Sequence, residues 1–359
     1  MDNSYGKNLK LKVTGASHAP KMTMELENFP KDFAINIDEL NAFLQRRAPG
    51  KNKYSTPRKE ADIPVFESGV DENFVTDGEK ICAVIFNSNQ RSGDYNFKDT
   101  PRPSHADFCA VTKFGSDVDL NGGGKYSGRL TAMMCIAGGI CKQYLKSQGI
   151  EIFAHIYSIG DIYDTPFDLK NVSLNELAAL ENSEFPVINA DSGEKMKNLI
   201  EDCRTKLDSV GGVIECAAIN LKAGLGDHMF AGVESRIASL TFEIPAIKGV
   251  EFGAGFGISK LRGSQANDAF CIENGRIRTK TNNCGGILGG MTNGMPLVFR
   301  GAVKPTPSIG IMQDTISISK MENTTISIGG RHDPCIVPRC VPVFEAAAAI
   351  AICDMLLDE

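Results

Sequence analysis

Glycine most constrains how this chain can be laid out. Of its 359 residues 36 are glycine and none is tryptophan. The glycines gather in runs, Gly122–Gly124, Gly285–Gly286 and Gly289–Gly290, that the interior of a helix or strand tolerates poorly. Such runs predict loops where backbone comes close to a ligand or to other backbone. After the first run, Ser127 is placed to cap a helix over about Gly128 to Ser147. In it Leu130, Met134, Ala137, Cys141 and Leu145 recur at helical spacing, and Gly149 supplies the stop. Met196, Leu199, Ile200, Cys203 and Leu207 predict a second helix over Glu194 to Asp208, and a last one is expected from Val343 to Leu357. Strands are expected at Ile152 to Ile159, Val213 to Leu221 and Thr324 to Ile328. Strands and helices do not alternate strictly, which argues against a doubly wound parallel sheet and for the α+β class. No low-complexity linker, fixed-period repeat or sharp change of composition divides the chain, so residues 1–359 are expected to form one compact unit.

A hydrophobic fraction of 42% with 23% charged residues is globular composition, which excludes disorder, collagen-like fibre and coiled coil. The apolar stretch Ala346 to Cys353 is far shorter than the roughly 18 residues needed to span a bilayer. The opening MDNSYGKNLKLK has no apolar run behind its lysines, so a cytoplasmic protein without membrane contact is expected. Eleven cysteines without a CxxC pair fit neither a disulfide framework nor a zinc ribbon, and they read as reduced, mostly buried thiols. A net charge of −6 argues against a general nucleic-acid binder. Yet six of the 38 basic residues, Arg46, Arg47, Lys51, Lys53, Arg58 and Lys59, fall in one 14-residue window without an acid. With Pro49, Gly50, Tyr54 and Pro57 among them, the window reads as a shaped loop suited to a small polyanion.

Five short segments concentrate the residues that could do chemistry: GASHA at 15–19, RPSHAD at 102–107, GGGKYSGRLT at 122–131, GGILGGMTNG at 285–294 with KPTPS at 304–308, and GRHDP at 330–334. Each sets Gly or Pro around His, Arg or Lys, which lets the backbone turn sharply and present one side chain or a row of N–H groups. GGGKYS lacks the spacing and preceding strand of a P-loop, which argues against a nucleoside triphosphate site. Three of the five histidines, His18, His105 and His332, lie in these segments. His18 and His105, the latter close to Arg102, suit proton donors facing an anion. His155, in an apolar strand, and His228, in a loop, read as structural. No carboxylate or thiolate set stands at ligand spacing, so no metal is expected.

The ordered set GASHA, QRRAPG, RPSHAD, GGGKYSGR, GGILGGMTNG, KPTPSI and GRHDPCIVPRCVPVFEA closely resembles the chorismate synthase family, from about residue 7 to the last helix. The resemblance implies a single-domain β-α-β sandwich with helices between antiparallel sheets, and a homotetramer. It implies a lyase that converts 5-enolpyruvylshikimate 3-phosphate to chorismate and phosphate by a 1,4-elimination, with reduced FMN required but not consumed. Substrate and cofactor together carry several anionic groups for Arg46, Arg47, Lys53, Arg58, Arg102, Arg129 and Arg331 to hold. By resemblance Lys125, Tyr126, Ser127, Gln265, Ala266, Gly289, Lys304, Pro305, Thr306, Pro307, Ser308 and Arg331 line FMN. His18 would protonate the departing phosphate, His105 the reduced cofactor, and Ser17 with Asp333 would relay a proton at its reactive nitrogen.

Several positions depart from the family pattern. Ala16 and Ala19 replace the Glu and Gly of GESHG, Ser104 the Gly of RPGHAD, and Lys125 and Lys53 stand for usual arginines. Gly128 and Leu130 alter SARE, and Ala48 takes the third place of a usual triple-Arg segment. These changes touch anion binding, because Lys offers charge without bidentate geometry. Two other readings stay open: a flavin-binding paralogue with reduced activity, and a bifunctional enzyme with NADPH-dependent flavin reductase activity. Retention of both His18 and His105 counts against the first, and absence of a GxGxxG after a strand against the second.

Overall fold

The computed structural model describes residues 4–50, 62–87, 96–329 and 333–358. Its sixteen strands in chain order are β1 (Ser4–Tyr5), β2 (Lys10–Thr14), β3 (Lys21–Glu27), β4 (Val65–Ser68), β5 (Ile81–Phe86), β6 (Glu151–Ile159), β7 (Ile162–Tyr163), β8 (Gly212–Ile219), β9 (Ile247–Phe252), β10 (Phe270–Glu273), β11 (Arg276–Thr279), β12 (Ile287–Leu288), β13 (Met291–Thr292), β14 (Leu297–Val303), β15 (Gln313–Ser317) and β16 (Glu322–Ile326). The α-helices are α1 (Ile37–Arg47), α2 (Asp107–Phe114), α3 (Thr131–Ser147), α4 (Leu174–Glu181), α5 (Ala190–Thr205), α6 (Val233–Glu243), the single turn α7 (Gly263–Ala266) and α8 (Val337–Leu356).

Two five-stranded antiparallel sheets, ordered β1-β2-β3-β5-β4 and β7-β6-β8-β14-β9, enclose a layer of helices. Helix α3 packs on β3 and β5 of the first sheet, α8 packs on β6 and β8 of the second, and the two helices pack on each other. Both are buried nearly all round, as the middle layer of a sandwich requires. Their close approach depends on small residues: a Cβ at Gly138 would stand 2.3 Å from that of Ala346, in the alanine run of α8. The fold is thus the expected α+β sandwich with helices between antiparallel sheets.

The expected elements are present, with shifted ends. Ser127 Oγ accepts from the Arg129 N–H, but the first turn, Gly128–Leu130, is a 3₁₀ turn that leads into α3. Helix α5 starts earlier than the apolar spacing suggests, because the Asn189 side chain accepts from the N–H groups of Asp191 and Ser192. Helix α8 likewise starts six residues early. Pro338 sits in its first turn, where a missing N–H costs nothing, and Pro342 removes one further bond without ending the helix. The basic window was read as a loop, yet it opens inside a helix: Arg46 and Arg47 form the last turn of α1.

The second half of the chain closes onto the first. Asp354, near the end of α8, accepts from the backbone N–H groups of Lys7, Asn8 and Leu9 and pairs with Arg236 at 2.9 Å. Within the helical layer, fully buried Glu345 binds Arg46 and Lys142 at 2.6 and 2.7 Å. Burial opposes the Glu345 charge, but these cations hold its pKa down at about 2.

Candidate active site

One cavity of about 440 Å³ opens where the glycine run 122–124, the start of α3, the RPSHAD turn, the KPTPS segment and the first turns of α8 meet. Among the described residues six cationic side chains line it, Arg47, Arg102, Arg129, Lys248, Lys304 and Arg339, against one carboxylate, Asp333. A chain that is acidic overall has therefore gathered positive charge at this place.

The arginines are held by acids set behind the wall. Asp62, fully buried, lies between Arg47 and Arg129 and pairs with both, at 2.8 Å to Arg47. Arg47 also donates to Thr131 Oγ1 and to the carbonyls of Gly128 and Arg129. Four of the five N–H donors a guanidinium carries are thus engaged within the protein, and Arg47 frames the cavity more than it reaches in. Asp107, at the start of α2, takes Arg102 in a bidentate pair with both contacts at 2.7 Å. Burial works against the Asp107 charge, but its bonds from Arg102 and His105 hold the carboxyl well below the usual range.

The same carboxylate orients His105. Nδ1 of His105 lies 2.7 Å from Asp107 Oδ1, so the ring proton is directed there and Nε2 is left facing the cavity. The turn that allows this is strained. Ser104 has φ of +58°, a left-handed conformation that glycine takes at no cost and that a side chain disfavours by about 1 kcal/mol.

His18 stands on the other side of the glycine run, and neither it nor Ser17 is among the residues that line the cavity. A Cβ on Gly122 would lie 2.0 Å from His18 Cε1 and 2.9 Å from Ser17 Oγ, and one on Gly123 would lie 3.6 Å from His105 Nε2. Glycine here is a steric requirement, since it lets the backbone pass between two imidazoles. Ser17 Oγ donates to the Asn121 carbonyl and lies 3.2 Å from His18 Nδ1. Asp333 is paired with Arg339 at 2.6 Å, and Arg339 also donates to the Arg47 carbonyl, which links α8 to the end of α1.

The remaining sequence-predicted residues divide. Tyr126, Ser127, Lys304, Thr306, Pro307 and Ser308 line the cavity. Lys125 does not; its ammonium lies 3.7 Å from the centroid of the Phe114 ring. Pro305 is exposed beside the lining residues. Gln265 and Ala266 in α7, and Gly289 in the β12–β13 turn, do not line it either. Arg46 is also not brought there. Neighbouring helical residues point about 100° apart, so with Arg47 at the cavity Arg46 turns into the helical layer and meets Glu345. Lys53, Arg58 and Arg331 lie outside the described residues. Sequence reasoning missed Lys248, Arg339 and Asp62. Arg339 sits in the quoted VPR motif and could have been found there, whereas Lys248 and Asp62 carry no local signal.

The sequence profile of chorismate synthase matches residues 9–357. The chain belongs to the chorismate synthase family. It is 42% identical to the chorismate synthase of Lancefieldella parvula, over 99% of this chain and 96% of that one. It is 43% identical to that of Thermococcus gammatolerans, over 98% and 97%. A crystal structure of chorismate synthase superposes with a TM-score of 0.77 at 28% identity, covering 99% of this chain and 93% of the other. Family membership makes this a lyase of the shikimate pathway.

Proposed function

We propose that this cavity carries out the 1,4-elimination of phosphate from 5-enolpyruvylshikimate 3-phosphate to give chorismate, with reduced FMN as cofactor and residues 1–359 acting as one catalytic domain. The observation that carries the reading is the pairing of six lining cations with two imidazoles set across a glycine run. A substrate with one phosphate and two carboxylates suits such a wall.

The fit to a flavin mononucleotide rests on the KPTPS segment. Thr306 Oγ1 is buried at the cavity without a hydrogen-bond partner among the described residues, a polar atom that a ligand would satisfy. Lys304, Thr306 and Ser308, with Tyr126 and Ser127 opposite, would hold the cofactor. When bound there, reduced FMN would supply the electron density that makes loss of phosphate and of the ring proton feasible.

The chain's own residues then bind, orient and move protons. Arg102 and Arg129, fixed by Asp107 and Asp62, set their guanidinium charge at the cavity wall, where substrate anions meet it without its having to reorganise. His105 Nε2 delivers or holds a proton at the cavity, while Asp107 orients the ring through Nδ1. His18 serves the departing phosphate, and Ser17 with Asp333 handles the remaining proton.

A homotetramer in the cytoplasm completes the reading. Phe270, Ile272 and Ile277 are exposed on the β10–β11 hairpin, apolar surface that supports association of copies. Among the described residues no helix is long and apolar enough to cross a membrane.

The test is an anaerobic assay of the purified protein following chorismate absorbance and phosphate release. Turnover is expected with photoreduced FMN and absent with oxidised FMN alone. Turnover without reduced flavin would overturn the cofactor assignment. NADPH oxidation in the same mixture without another reductant would establish a bifunctional enzyme, and none is expected.

A further inference from the structure

We propose that Lys248 is a phosphate-binding residue of this cavity, forming with Lys304 a two-ammonium clamp for a phosphate monoester. This deepens the functional reading above and rests on it.

The position of Lys248 is made by an irregularity in the second sheet. Strands β9 and β14 pair in register from Phe252 with Phe299 to Gly249 with Ala302, and pairing resumes at Ile247 with Val303. Lys248 is the extra residue, opposed by none on β14. A β-bulge of this kind bends the strand and re-aims a side chain, and bulges recur beside active sites. Here it sets Lys248 at the cavity rim, in the wall that Ala246 and Lys304 share. The Lys304 N–H donates to the Ala246 carbonyl just beyond the bulge, which fixes the two lysine-bearing segments side by side.

Neither ammonium is neutralised there. Lys248 makes no ion pair among the described residues, and the Lys304 ammonium donates to a carbonyl, that of Ser104. Burial first, and then the nearby Lys248 charge, push the Lys304 pKa down. The cavity's carboxylate, Asp333, is paired with Arg339 and with neither lysine, so the two like charges repel each other until an anion joins them. A phosphate monoester, with close to two negative charges and several acceptor oxygens, is the group that relieves this best. The unpartnered Thr306 hydroxyl lies in the same wall.

Two ligands of the proposed reaction carry such a group, the flavin mononucleotide and the substrate, and the experiment separates them. Dissociation constants for FMN, riboflavin and 5-enolpyruvylshikimate 3-phosphate are measured by fluorescence and calorimetry for wild type, Lys248→Met and Lys248→Glu. Exposed Lys260, outside the cavity, serves as the charge control in Lys260→Met. At low salt, Lys248→Met is expected to weaken one phosphate ligand about threefold to tenfold and Lys248→Glu more, with the difference shrinking as salt rises. Riboflavin affinity is expected to be unchanged. A loss confined to FMN assigns the clamp to the cofactor, and one confined to the substrate assigns it there. Unchanged affinity for both, or an equal loss for riboflavin, overturns the proposal while leaving the enzyme reading intact. If wild type binds neither FMN nor substrate, the functional reading fails, and inorganic phosphate alone decides the clamp: Lys248→Glu must then weaken it.

Discussion

Two histidines in this protein sit among arginines and carboxylates, and they are wired differently. His105, at the cavity, has Nδ1 held by Asp107 and no partner for Nε2 among the described residues. His155, on β6, is wholly buried and has both ring nitrogens engaged, Nδ1 at 3.0 Å from Asp164 and Nε2 at 3.0 Å from Glu215. Glu215 is bound in turn to Arg300, and Arg300 to Glu251. Both clusters contain the residue types associated with acid–base catalysis. What separates them is whether one nitrogen is left over to face open space. A ring with a spare nitrogen can exchange a proton with a ligand, whereas a ring held at both ends is a structural cross-link.

The largest expected effect breaks the comparison on the catalytic side. His105→Ala should lower turnover roughly a hundred- to ten-thousandfold with the folded protein retained, measured as anaerobic kcat against thermal midpoint. A variant turning over at the wild-type rate would return His105 to the same class as His155. His155→Ala should do the reverse. It strands two buried carboxylates and should cost about 3 to 5 kcal/mol of stability by denaturant unfolding, while the activity of each folded molecule stays near normal.

The smallest effect is a pH dependence. Burial disfavours a charged His155, but bonds to Asp164 and Glu215 outweigh it and raise the His155 pKa. Both carboxylates are shifted down: burial opposes their charge, and bonds from His155, with backbone N–H groups and, for Glu215, Arg300, more than compensate. The histidine's contribution is thus complete below its unfolded value of about 6.5 and is lost as pH rises through the higher folded value. The carboxylates' contribution is complete above about 4.3 and is lost as pH falls through their lower folded values. Thermal midpoints should therefore show the network's full benefit between about pH 4.3 and 6.5. In His155→Gln the decline on the alkaline side should flatten.

How much of this was legible in the sequence follows from the range of each signal. The helix after the first glycine run, the histidine-bearing turns and the KPTPS segment announce themselves locally, because capping, spacing and glycine act over a few residues. Membership of the middle layer did not. That α8 begins at Val337 depends on two prolines being tolerated in a helix stabilised by packing on both faces. Arg46 and Arg47 look interchangeable as letters, and only the helix that carries them sends one to Glu345 and the other to the cavity. Lys248 became visible only through a strand register, which links residues some fifty positions apart. His155, by contrast, was read as structural from its apolar strand alone, and its two carboxylate partners explain why.

Helix α8 has a further consequence, for the order in which the molecule can be made. It follows both sheets in the chain, yet its middle packs on the second sheet and on α3, its first turns wall the cavity, and its Asp354 fastens the backbone at residues 7–9. While the ribosome adds about 5 to 20 residues per second, both sheets are synthesised well before the helix they enclose. Until those final residues emerge, the apolar inner faces of the sheets lack their shared partner and the cavity lacks a wall. Assembly of the sandwich and of its reactive pocket therefore waits for residues 337–356, and a chain cut before Val337 would be left with neither.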